Sequence, residues 1–167
     1  MKQLCGARLL RGCRATGRED DRLIKSESLG YPEARKGIDA AMAGAEALGR
    51  PMSFAVVDAH GDLIAAGRMD GSHSRVLKHA IRKAMTAATY GRNTLIFKKE
   101  LADSDRQLLE WGDLNVTTLQ GGLVVKSGKM VVGGVGSGGG SLEQDEAMAR
   151  VLVRAMGFEP EEERHAG

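Results

Sequence analysis

The sequence predicts an α+β protein, one antiparallel sheet of about five strands with helices packed on it. Two pairs of apolar runs are each joined by a short turn: Met52–Asp58 with Leu63–Arg68, and Leu123–Val125 with Met130–Val135. The amphipathic stretches stand before, between and after these pairs, so the strands do not alternate with helices as a parallel sheet requires. The chain of 167 residues, 42% apolar and 28% charged, is long enough for one domain with a sizeable core.

In chain order, Met1 to about Lys25 reads as a mobile leader outside the domain. It is positively charged, and arginines interrupt its short apolar pieces, Ala7 and Leu9–Leu10, which a signal peptide would keep continuous. A basic arm for a lipid or a partner is the alternative. Ser28–Gly49 is the first helix, with Pro32 and Glu33 suited to its first turn and Gly49 to its end. Met52–Asp58 is apolar throughout Phe54–Val57, as in a central strand covered on both faces. The turn Ala59–Asp62 contains the glycine that a positive φ needs, and Leu63–Arg68 returns from it. His73–Tyr90 is the second helix, with Leu77, Ala80, Ile81, Ala84 and Ala88 as its buried stripe and Gly91 as its stop. Phe97–Trp111 is a third helix, and Val116–Leu119 a short strand or edge. A Lys-Ser-Gly-Lys turn joins the second hairpin. Its return strand enters a glycine string, Gly133–Gly140, read as a tight crossing or a site wall. Ser141 and Gln144 form a capping box, and Met148, Val151, Leu152, Ala155 and Met156 give the last helix one apolar face. The domain therefore spans residues 26–158, and the acidic tail 159–167 is solvated.

Composition excludes several classes. The net charge of +2, with no basic stripe interleaved with aromatics, argues against nucleic acid. No apolar run approaches the ~20 residues of a membrane-spanning helix. Cys5 and Cys13 make neither a zinc set nor a disulfide framework, which points to a reducing, cytoplasmic compartment. The glycine string is no phosphate loop: it lacks a Gly-Lys-Ser/Thr ending and a spaced Gly-x-Gly-x-x-Gly, and Glu143, Asp145 and Glu146 already complement the helix start. With 23 glycines, 8 methionines and only 4% aromatics, the core is built from small and flexible residues whose backbones pack closely.

Three pieces, in order and spacing, resemble a known family. They are AVVDAHGDLIAAGRMDG (Ala55–Gly71), the Lys83-Ala84-x-Thr86-Ala87 step, and GGLVVKSGKMVVGGVGSGGGSLEQDEAMA (Gly121–Ala149). Together they resemble the GlcG/HbpS-like family of small haem-binding proteins, a domain also found at the C-terminus of PduO-type corrinoid adenosyltransferases. The resemblance covers about Tyr31–Phe158, and Glu143–Ala147 after the glycines is its most specific part. It implies a profilin-like fold, self-association into dimers or larger oligomers, haem or cobalamin binding in several members and haem degradation in some. His60 stands where the family usually has a small residue, and no motif transfers an iron ligand.

Haem needs an axial donor and cations for its propionates. His79 shares a helical face with Lys83 and Thr86, four and seven residues on, and His73 opens the same helix. His79 and His73 are therefore the candidate iron donors, with Arg68, Lys83 and Thr86 as further pocket groups. The alternative for each is a solvated face or a helix-start turn. His60 reads as a turn residue, His165 lies in the tail, and Met69 and Met85 are core filler or soft ligands. A second class is a cofactor-free isomerase or lyase acting on a small organic acid, anchored by Arg68 and Lys83. Asp70, Glu143 or Asp145 would be its base and His79 or His73 its acid, against the alternative of structural Asp–Arg pairs and helix-cap acids. No nucleophile elbow or His-Glu-x-x-His motif is present. A third class is a structural partner of a larger enzyme.

Overall fold

The computed structural model describes residues 26–162. The expected leader, with Cys5 and Cys13, and His165 lie outside these residues. The element order is α1 (Tyr31–Ala47), β1 (Ser53–Asp58), β2 (Leu63–Arg68), α2 (Ser74–Tyr90), α3 (Thr94–Asp103), a 3-10 turn (Leu108–Trp111), β3 (Gly122–Ser127), β4 (Met130–Gly138) and α4 (Leu142–Ala155). All strand pairs are antiparallel, in the spatial order β2-β1-β4-β3.

The local signals act as sequence chemistry requires. Gly61 (φ +92°) turns the first hairpin, where Asp58 Oδ1 accepts from the backbone of His60 (2.8 Å) and Asp62 (2.9 Å). Gly91 ends α2 in the left-handed region (φ +65°). Ser141 accepts from Gln144 N at 3.2 Å while the Gln144 side chain accepts from Ser141 N at 2.9 Å, which completes the capping box of α4.

The sheet has four strands, not about five. The expected strand Val116–Leu119 is irregular, because the outer edge of β3 is already occupied. Thr94 Oγ1 donates to Gly122 O (3.3 Å) and accepts from Gly122 N (3.1 Å), and Asn93 Oδ1 accepts from Val124 N (3.1 Å). Two side chains at the start of α3 thus mimic a neighbouring strand. Residues 113–119 cross α2 instead, with Thr117 N donating to Thr86 Oγ1 at 3.0 Å. The third helix ends at Asp103, well before Trp111, and Asp105 follows at φ +52°. Of the expected tail, residues 159–162 are described: Pro160 is buried, and Lys126 Nζ pairs with Glu161 at 2.8 Å. α1 starts at Tyr31 because Ser28–Gly30 runs extended, tied by Leu29 N to Val132 O at 2.8 Å.

The sheet's two faces differ in kind. Phe54, Val56, Leu123, Val125 and Val135 point to α1 and α4, where Ile38, Met148, Leu152 and Val153 meet them. The other face carries Ala55 and Val57 of β1 under Ala80, Ala84 and Ala88 of α2. The glycine string is strand as far as Gly138, and its alternate members Gly134, Gly136 and Gly138 face α2. A Cβ on Gly136 would collide with the carbonyl oxygen of Ala80, and one on Gly134 with that of Ala84. One on Gly122 would lie 2.6 Å from the Lys83 carbonyl oxygen. The expected tight crossing is thus a helix backbone seated directly on a strand.

Candidate functional site

Close seating of α2 brings its edge beside the end of β4 and the start of α4. Lys83 is 3% exposed, and its Nζ donates to Asp145 Oδ2 and to the Ser137 carbonyl, each at 2.7 Å. Asp145, 5% exposed, accepts from Gly140 N at 2.9 Å through its other oxygen. Ser137 Oγ donates to Asp145 O at 2.9 Å. This buried pair ties α2, β4 and α4 together. Gly121 (φ +101°) passes so close that a Cβ there would lie 3.2 Å from Lys83 Nζ and 2.8 Å from Asp145 Cβ.

The pair lines a cleft of about 140 Å³. His79, one turn before Lys83 on α2, lines it too, beside Val76. Leu119 and Leu142 add apolar walls, with Gly138 ending β4 and Gly139 in the turn beyond it. Both leucines lie open to solvent, at 44% and 49% exposure. The site is thus an open apolar cleft with one imidazole on its side and an internally neutralised ion pair in its lining.

Of the residues singled out from sequence, His79, Lys83 and Asp145 meet here. Lys83 and Asp145 meet each other, a pairing over 62 positions that neither residue's local surroundings announce. Thr86 lies on the same helix edge but is buried: its hydroxyl donates to Arg82 O at 2.8 Å and receives Thr117 N, so it holds the crossing loop. Arg68 stands at the same end of the sheet, since Ser53 pairs with both Arg68 and Gly138, but two strands away from β4. It donates to Ser72 O at 3.0 Å and does not line the cleft. His73 caps the start of α2 and is exposed, as is Asp70 in the turn before it. Glu143 is exposed, and its own backbone N–H, then the Ser141 hydroxyl, hold its carboxyl below the usual carboxylate range. His60 is exposed in the hairpin turn, 4.0 Å from Asp58. Met69 Sδ accepts from Met52 N at 3.4 Å, and Met85 sits beside Gly61, both away from the cleft. The apolar walls, Val76, Leu119 and Leu142, escaped sequence reasoning; for Leu142 the available signal was a large apolar residue directly after a helix cap.

The haem-degrading HbpS-like family matches residues 29–154. The chain belongs to this family. A crystal structure of HbpS is 31% identical, with a TM-score of 0.74 over 83% of this chain and 97% of that one. The C-terminal domain PduOC, solved as a complex with haem, is 27% identical, with a TM-score of 0.72 over 81% of this chain and 99% of that one. The Klebsiella pneumoniae protein ORFY, at 22% identity and a TM-score of 0.75, covers 81% of this chain and 95% of that one and shares the fold. No curated protein sequence matches significantly. The HbpS-like chain has no helix, among the described residues, long and apolar enough to cross a membrane.

Proposed function

We propose that this HbpS-like protein is a cytoplasmic homo-oligomer that binds haem or a related tetrapyrrole at the cleft between α2 and α4. His79 is the iron donor. The observation that carries the reading is an imidazole in the lining of a largely apolar cleft that Leu119 and Leu142 also line. Family membership and the haem complex of the PduOC relative support it. The donor set fits: imidazole is a common axial ligand, and aliphatic walls suit the face of a macrocycle. His73 stands outside the lining, so it is the weaker donor. Haem supplies redox chemistry at its iron; the chain orients it and excludes water from one edge.

Pockets that enclose a ligand of this size run to roughly 300–1,000 Å³. A cleft of about 140 Å³ therefore takes one edge of the ring, and a second copy of the chain covers the remainder. Titration with hemin tests this. The expected result is a saturable Soret band that His79→Ala abolishes and His73→Ala leaves intact. No spectral change in the unsubstituted protein at stoichiometric hemin sinks the proposal.

A second reading, a cofactor-free enzyme acting on a small organic acid, is favoured by the cleft's size and by the Lys83–Asp145 pair that lines it. Saturable thermal stabilisation by a short carboxylic acid, together with no Soret band from hemin, decides for it.

A further inference from the structure

Within that reading, Lys83 is poorly placed to hold an anionic arm of the ligand, because Asp145 and the Ser137 carbonyl already take two of its three protons. Arg68 stands two strands away from β4, at the far side of the sheet. The ligand's charged end must be met elsewhere, and α2 itself supplies the means. It carries Arg75, Lys78, Arg82 and Lys83 and not one acidic residue.

Arg75 lies four positions before His79 and Arg82 three positions after it. On a helix these are the two neighbours directly above and below, so the guanidiniums flank the imidazole along one face. Arg75 is exposed and Arg82 half-exposed, and both stand outside the cleft's lining, so they can meet only a part of the ligand that projects from it. Among the described residues neither has an ion pair, whereas Arg35, Arg92, Arg106 and Arg150 each face a carboxylate. The Arg82 backbone is fixed by Thr86, whose hydroxyl bonds its carbonyl and also anchors the loop bearing Leu119. The loop bearing Leu119 is therefore tied to the turn of α2 that carries Arg82.

We infer that Arg75 and Arg82 are the anion clamp of the site: they grip carboxylate arms of a planar apolar ligand whose edge lies in the cleft beside His79. Guanidinium suits the task, since its fork matches a carboxylate bidentately and its charge is held at any working pH. The site therefore selects amphiphilic rings with carboxylate arms over the same rings with those arms neutralised.

Metal-free protoporphyrin IX and its dimethyl ester, followed by fluorescence, read the clamp without involving iron; hemin, followed by its Soret band, reads the donor. The protein should bind the free acid more tightly than the ester, and added salt should narrow the gap. Arg75→Gln with Arg82→Gln should weaken free-acid binding about ten- to a hundredfold, the worth of charge-assisted hydrogen bonds, and leave ester binding unchanged. Circular dichroism checks that the double variant folds, and Arg82→Lys, keeping the charge without the fork, should fall between the two. Equal affinity of the unsubstituted protein for acid and ester overturns the clamp, as does a double variant that loses neither or both equally. If hemin still gives a His79-dependent band in those cases, the clamp alone fails. If no porphyrin binds the unsubstituted protein, the binding site falls with it.

Discussion

The two faces of the sheet solve the same problem in opposite ways. Toward α1 and α4 the sheet presents Phe54, Val56, Leu123 and Val135, and the gap is filled by side chains. Toward α2 it presents mainly glycine and alanine, with Val57 among them, and along β4 the gap is closed by bringing the backbones together. The first face can trade one shape for another. The second has little to trade, because Gly134 and Gly136 lie directly against the backbone of α2. The second face also carries the cleft: a helix seated this tightly brings Lys83 within reach of β4 and α4, and His79 comes with it.

Four substitutions test that contrast. Gly136→Ala drives a methyl into the Ala80 carbonyl with backbone on both sides, so no soluble folded protein is expected, as measured by expression and circular dichroism. If that variant melts like the unsubstituted protein, the close seating of α2 is wrong. Lys83→Met leaves Asp145 buried without its cation and should cost about 3–5 kcal/mol in denaturant unfolding. Adding Asp145→Leu should recover most of that loss, because the stranded charge is then gone too. On the opposite face, Leu123→Met conserves volume in a side-chain-filled core and should cost about 1 kcal/mol or less. A larger loss there would erase the distinction between the faces.

What could be read in advance follows the range of each interaction. The capping box of Ser141 and Gln144, the stop at Gly91 and the turn at Gly61 are settled within a few residues, and the sequence signals them directly. The missing fifth strand was not legible, because Val116–Leu119 has strand character and the competitor is a pair of side chains, Asn93 and Thr94, from another part of the chain. The glycine string was legible as a place of close approach but not as strand, since glycine favours strands poorly until a helix demands the room. For the site, helical spacing joined His79 to Lys83. It could not join Lys83 to Asp145, and it left Arg68 as a pocket group although β1 and β4 lead it away.

The Asn93–Thr94 arrangement has a consequence for how copies of the chain can meet. At one rim of the sheet these side chains cover the Gly122–Val124 half of β3, while β2 on the opposite rim bonds only β1 among the described residues. Strand-to-strand joining therefore finds its longer open rim at β2, which is used up when two molecules meet there head to head.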